Sequence, residues 1–179
     1  YVGGDFVNVS SSLRKYVAYI DANGFGSVSS WDPDPNNAVY CFYKRAYRKP
    51  GTSLGESPFG GIISNDDQES ILSGYSIMMG GKFTYIGGQF RTGIAEIDTA
   101  GLETTWNANS DGDVNSIIYT LRKELFVGGT FENIGGQPRR FGAKLDSTGT
   151  AISTFAPAFS DPVKAIAMND SIVYFAGDF

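Results

Sequence analysis

Chemistry near neutral pH needs a group that gives or takes a proton, and this 179-residue chain has no His and a single Cys, Cys41. Their scarcity removes the usual acid–base residue, the commonest metal ligand and every Ser-His or Cys-His nucleophile pair. Carboxylates remain, and the clustered ones are Asp32 and Asp34 in WDPDPNNAV and Asp111 and Asp113 in WNANSDGDV. Paired-carboxylate hydrolysis needs two acids converging in one cleft; these four lie in segments rich in Pro, Asn and Gly, which predicts exposed turns. Asn107 to Asp113, NANSDGD, sets oxygen side chains at alternate positions with Gly112 in sixth place, the front half of a calcium loop. Asn107 stands where Asp is wanted and Ile118 where the bidentate Glu belongs, so the segment reads as a polar turn. No catalytic residue, metal ligand or cofactor is assigned. Cys41 reads as a small buried hydrophobe.

Binding chemistry is better represented. YKRAYRKP, Tyr43 to Pro50, gathers Lys44, Arg45, Arg48 and Lys49 around Tyr47, a basic and aromatic mixture suited to an anionic glycan, a phosphate or an acidic partner. These five are the candidate partner-binding residues, expected on a long loop. Arg14 with Lys15, and Arg139 with Arg140, occupy the same variable loop of their repeats and would rim one face of an array, or simply aid solubility. A formal net charge of -5 argues against a nucleic-acid coat, which must neutralise phosphates. No apolar run is long enough for a membrane helix, and no signal-like segment opens the chain.

Those residues must be carried by something, and the chain repeats itself. YVGGDF (1–6), YIGGQF (85–90), FVGGTF (126–131) and YFAGDF (174–179) share one pattern of aromatic, glycine pair and aromatic. A second element, Ala-x-(Ile/Leu)-Asp-x-x-Gly, occurs at Ala18 to Gly24, Ala95 to Gly101 and Ala143 to Gly149. From the second Gly of a pair to that Ala the step is 14, 7 and 14 positions, which predicts a variable loop between fixed strands. A third element runs nine residues from an aromatic to a valine: Trp31 to Val39, Trp106 to Val114 and Phe155 to Val163. Short apolar runs, NSIIYT and KAIAMN, then lead into the next glycine pair.

A period in the forties with several strands per unit predicts an all-β protein of β-propeller blades, each of about four antiparallel strands. Glycine inside a strand weakens it unless backbone must approach backbone or a bulge must bend it, and stacked blades supply both reasons. Asp21, Asp98 and Asp146 are placed to cap the turn that follows them, with Gly24, Gly101 and Gly149 free to take positive φ. Repeats are expected at about 1–84, 85–125 and 126–173, with another starting at 174–179, in a single repeat region over 1–179. The first is twice as long: either an insertion near 44–73 or a second, eroded repeat, and the missing Ala-x-(Ile/Leu)-Asp element favours the insertion. Because the chain starts and stops on the same strand of the unit, a partial array cut from a longer repeat protein is expected.

The combined three-element pattern resembles the delta-60 type of β-propeller repeat and, more distantly, kelch blades and the fungal cortical polarity-marker proteins. The likeness covers most of 1–39 and 74–179. It implies extracellular, cell-surface or virion-associated proteins without established chemistry, and it carries over no catalytic residue. The expected function is a non-enzymatic structural or interaction module whose partners are other protein subunits or further repeats of the same chain. A lectin-like propeller holding surface glycans on exposed aromatics and Asp or Asn side chains is the alternative. Exposed Tyr47 or Trp side chains lining a groove would favour that alternative, whereas burial of Trp31 and Trp106 between blades would remove it.

Overall fold

Short runs of Val, Ile, Tyr and Phe broken by Gly, Asp and Asn favour strands joined by tight turns, and the computed structural model contains strands and turns with no helix among the described residues. It describes residues 1–22, 26–47, 74–120, 124–169 and 172–179, with Ala46 and Tyr47 described by backbone alone. No helix there is long and apolar enough to cross a membrane.

Four successive units follow one plan. The first holds β1 (Val2–Gly3), β2 (Asn8–Val9), β3 (Ser12–Leu13), β4 (Val17–Ala18), β5 (Ile20–Asp21) and β6 (Ser27–Val28). The second holds β7 (Val39–Tyr47), β8 (Gly74–Gly81), β9 (Tyr85–Ile86), β10 (Gln89–Phe90) and β11 (Ile94–Ile97). The third holds β12 (Val114–Tyr119), β13 (Leu125–Gly129), β14 (Asn133–Ile134), β15 (Gln137–Pro138) and β16 (Gly142–Leu145). The fourth holds β17 (Val163–Asn169) and β18 (Ile172–Gly177). The antiparallel sheets β7-β8-β11 and β12-β13-β16 are each extended by one bridge, Ile97 to Glu103 and Leu145 to Ala151. In each of the first three units a hairpin with two-residue strands (β2-β3, β9-β10, β14-β15) lies between the glycine-pair strand and the strand that pairs with it next.

The pairing corrects the phase of the repeat. Gly3 pairs with Val17, Gly80 with Ile94 and Gly128 with Gly142. The glycine pair of the second unit's strand is therefore Gly80-Gly81 in MMGGKF, and Gly87-Gly88 lies seven residues further on. Counted from the right pair, Gly4 to Ala18, Gly81 to Ala95 and Gly129 to Ala143 are all 14 positions, so this connection has constant length. Met78, Phe126 and Tyr174 then fall at intervals of 48. Gly87 and Gly88 instead make the two-residue turn of the β9-β10 hairpin at φ 61 and 88, as Gly135 and Gly136 do for β14-β15 at φ 62 and 75. Two consecutive positive φ values match the twist of a hairpin and favour glycine.

The expected insertion also shortens. Val39–Tyr47 is a strand that pairs with β8 through to Tyr47 opposite Gly74, so residues 44–47 belong to the sheet, and the extra length joins β7 to β8. The same connection is short in β12-β13 and β17-β18. Only the equivalence of Val39 with Val114 and Val163 was visible beforehand; each begins a first strand with a register shift just after it.

Consecutive sheets stack, with β7 against β1, β12 against β7 and β8, and β17 against β12 and β13. The interlayer cores follow from that. Val17, Trp31, Val39, Ile77, Met79, Phe83 and Ile97 fill the first gap; Met78, Ile94, Trp106, Val114, Val127, Phe131 and Leu145 fill the second. Phe126, Phe155, Phe159, Phe175 and Phe179 form a chain of ring contacts along the third. The glycine pair is the device that lets layers close. A Cβ on Gly3 would meet the carbonyl oxygen of Val39 at 2.9 Å, and one on Gly80 would meet Cys41 Sγ at 2.6 Å and the oxygen of Val114 at 2.9 Å. At Gly128 the crowding atoms are side-chain ones, of Val163 and Ile166. The second glycine looks inward, Gly81 onto the Ala38 carbonyl and Gly129 onto that of Asp113 in their own sheets.

Candidate interaction surface

The predicted basic patch is divided by the strand that carries it. Alternation on β7 turns Lys44 outward, its Nζ 4.5 Å from the Tyr75 ring centroid, and sends Arg45 to the opposite face. There Arg45 Nη1 donates to Glu96 Oε1 at 3.1 Å and the guanidinium lies 5.4 Å from the Tyr119 ring centroid. Glu96 also accepts from Ser76 Oγ at 2.6 Å and Thr104 Oγ1 at 3.0 Å. This buried carboxylate thus has three partners, and a cleft of about 430 Å³ beside it is lined by groups including Thr105, Trp106, Ser147 and Thr148. Arg45 is a structural cation near the loop end of the paired β7-β8 strands, opposite Ser76. Tyr47 sits on the strand, and Arg48 and Lys49 lie outside the described residues.

Two of the four turn acids, Asp32 and Asp111, are spent on structure. Asp32 Oδ1 accepts from the Asp34 amide at 3.1 Å, and its Oδ2 is 3.5 Å from Arg14 Nη1. Asp111 Oδ1 accepts from the amides of Glu132 and Asn133, both at 2.9 Å, and Oδ2 from Asn133 Nδ2 at 2.7 Å. Asp111, in the segment read as a polar turn, is therefore a clasp onto the base of the next hairpin. Asn36 makes the equivalent clasp one layer earlier, accepting from the amides of Thr84 and Tyr85. Asp98 and Asp146 cap their turns as anticipated, each taking two downstream amides on Oδ1, with Gly101 at φ 87 and Gly149 at φ 90. Among the described residues no group of three or more His, Cys, Asp or Glu side chains is arranged to hold a metal ion.

Two of these carboxyls have a readable pH signature. Partial burial pushes Asp111 upward, but its bonds from Asn133 and Glu132 outweigh this and hold it below the usual aspartate value. At Asp146 the Thr148 hydroxyl leads, with the Thr148 and Thr150 amides, in lowering it further than slight burial raises it. A depressed folded pKa contributes stability that is complete above the unfolded value of about 3.9 and is lost as pH falls through the folded value. Urea midpoints should therefore fall below pH 4, and the double variant Asp111→Asn/Asp146→Asn should show a shallower fall than the parent. An unchanged acid slope would mean that other carboxylates govern it. Burial pushes the Cys41 thiol up to about 12, in keeping with an inert core residue.

The basic pairs conceal a third repeat. Arg14, Arg91 and Arg139 are equivalent, and each sits just past its hairpin. Each Nη1 donates to the preceding carbonyl, of Leu13, Phe90 and Pro138, at 2.7, 2.9 and 2.7 Å. Each Nη2 reaches across to the outer edge of its own unit: the Ser29 carbonyl at 2.8 Å, Glu103 Oε2 at 2.6 Å and the Ile152 carbonyl at 3.4 Å. Arg14 and Arg139 are thus clamps rather than a free basic rim, whereas Lys15 is exposed and Arg140 has a loose 3.9 Å contact with Glu132 and lies 5.2 Å from the Phe141 ring centroid. Arg91 stands alone in the sequence, without a second cation beside it, so charge does not mark it as one of the set.

What the clamps hold out is apolar. Leu13, Phe90 and Pro138 end the three hairpins at equivalent positions, all exposed, Leu13 at 60% and Phe90 at 81%. Trp31 and Trp106 are each only 7% exposed and sit in the interlayer cores, with Trp31 Nε1 donating to the Asp98 carbonyl at 3.1 Å. Neither indole offers a face to a sugar. Compared with known protein families, curated proteins and solved structures, the chain matches none.

Proposed function

We propose that the chain is a non-enzymatic interaction module, a β-propeller-type array of a secreted, cell-surface or virion protein that binds other protein subunits along its hairpin rim. The observation that carries the reading is the row Leu13, Phe90 and Pro138, exposed apolar tips each fixed by an arginine clamp. Isolated exposed apolar residues are ordinary, but recurrence at one position of successive units makes a surface. Holding the tips before a partner arrives reduces the ordering entropy lost on binding. Antiparallel sheets stacked at an interval of 48 residues support the blade reading. The extracellular or virion setting rests on the resemblance of the three-element motif. A non-enzymatic role is supported by the acids Asp32 and Asp111, whose oxygens are engaged by turns and clasps.

Peptide display against the immobilised protein tests it. Enriched sequences should carry apolar side chains, and Leu13→Ser/Phe90→Ser should weaken them by about tenfold or more, as loss of a central apolar anchor does, while Lys164→Ser leaves them unchanged. No enrichment, or enrichment indifferent to the rim variant, would defeat the proposal.

A further inference from the structure

The gap between the first and second units opens on the hairpin rim as a cleft of about 310 Å³ lined by Val7, Lys15, Tyr16, Asp34, Pro35, Asn36 and Tyr85. Unlike the cleft at Glu96, its polar groups are not used up. The Lys15 ammonium, the Asp34 carboxylate and the hydroxyls of Tyr16 and Tyr85 make no hydrogen bond or ion pair among the described residues, while Asn36 is taken up by its clasp. Both tyrosine rings are half-buried and so held in place, and Tyr85 is braced edge-on by Phe90 at 5.4 Å between centroids. Asp34 is kept in the left-handed region, φ 44, by the turn that Asp32 caps, a conformation uncommon outside Gly, Asn and Asp.

The next interface in the same chain is a built-in comparison. Constant spacing places Thr92, Gly93, Asn109 and Asn133 where the first interface has Lys15, Tyr16, Asp34 and Tyr85. Asn109 holds the same backbone conformation as Asp34, φ 49, and Asn133 donates to Asp111 instead of facing outward. The second interface does without the ammonium, the carboxylate and both tyrosines, although Tyr16 also packs against the first core and the buried Phe141 takes its place in the third unit. The presence of all four groups together is a property of one gap.

Burial of both indoles removes a lectin built on tryptophan platforms; we infer instead that this one cleft, with its two tyrosines, is a small carbohydrate site taking a pyranose that offers adjacent hydroxyls. Asp34 accepts from a pair of neighbouring hydroxyls, Lys15 donates to their oxygens, and the tyrosine rings cover the apolar C–H face while their hydroxyls bond the sugar's edge. The ligand is small and the cleft partly open, so a Kd on the order of millimolar is expected. Phe90 belongs to the apolar row and also braces Tyr85, so the two sites are told apart by Leu13→Ser, outside the cleft lining, and Asp34→Asn, outside the row: each should weaken one ligand and leave the other.

The test is an NMR titration of the whole 15N-labelled chain with the methyl glycosides of glucose, galactose and mannose. Shifts should centre on residues 7, 15–16, 34–36 and 85 for at least one of them. Asp34→Asn and Tyr85→Asn, which install residues that the sister interface already carries, should each weaken that glycoside by about tenfold or more, with backbone spectra otherwise intact; Lys164→Ser should change nothing. Absence of shifts with every glycoside, shifts centred elsewhere, or affinity that survives the combined Lys15→Thr/Asp34→Asn/Tyr85→Asn change would each overturn the assignment.

Discussion

Gly80→Ala should destabilise the chain by about 2 kcal/mol, lowering the melting temperature by about 4–8 °C for a protein of this size. The added methyl would stand 2.6 Å from Cys41 Sγ, 2.9 Å from Val114 Cγ1 and 2.9 Å from the Val114 carbonyl oxygen. The two side chains can rotate away, but the oxygen belongs to a paired strand, so the sheets must separate. Overpacking of that kind costs about 1–3 kcal/mol, and because a backbone atom is involved the upper end applies. Against it, removing a strand glycine returns about 0.5–1 kcal/mol by narrowing the unfolded ensemble. Packing wins. Position 176 is the control supplied by the chain itself: YFAGDF carries Ala176 where the other copies carry the first glycine, and Ala176 is exposed. Ala176→Gly should move stability by no more than about 1 kcal/mol, governed by backbone entropy alone. Urea unfolding of both variants checks the contrast, and a Gly80→Ala midpoint equal to the parent's would remove glycine-mediated stacking as the organising contact.

That contact also explains which parts of the architecture could be read from letters. Strands, turn caps and the nine-residue Trp-to-Val element are local, and Asp98, Asp146, Gly101 and Gly149 behave as their types require. The phase of the repeat was not local. GGKF at 80–83 and GGQF at 87–90 look alike, yet the first pair sits in a strand under a neighbouring carbonyl and the second turns a hairpin at positive φ. Only pairing separates a glycine that saves space from one that bends the chain. β7 was hidden for another reason. Its partner begins at Gly74, far along the sequence, and its two faces, Tyr40, Phe42 and Lys44 against Cys41, Tyr43 and Arg45, both mix aromatics with other residues, so alternation leaves no trace. The basic cluster then read as a loop. Charge marked Arg45 correctly as unusual and wrongly as outward, because Glu96 lies 51 residues away with nothing in its own segment to announce burial. The candidate cleft was equally illegible: Lys15, Tyr16, Asp34 and Tyr85 converge only once the layers are stacked.

The Arg45 and Glu96 pair sets up the second large effect, because the repeat supplies its reverse. Where the second unit has Ser76 and Glu96, the third has Glu124 and Lys144, joined at 2.6 Å, and Thr120 stands in place of Arg45. Glu96→Lys should cost about 3–5 kcal/mol: it sets an ammonium beside the Arg45 guanidinium and takes away the acceptor shared by Ser76 and Thr104. Solvent screening trims the repulsion, since the Arg45 side chain keeps 21% of its surface exposed, so the lower end is expected at moderate salt. Adding Ser76→Glu restores an acceptor in the sister's geometry, and adding Arg45→Thr removes the repelling charge. The triple variant should then return to within about 1 kcal/mol of the parent, a non-additive recovery that a triple-mutant cycle would register as strong coupling among the three sites. A triple variant no more stable than Glu96→Lys alone would show that the sister network does not transfer. The long β7-β8 hairpin would then be anchored by interlayer packing of Tyr43 and Tyr119, 5.4 Å apart, with the ion pair a passenger on that contact.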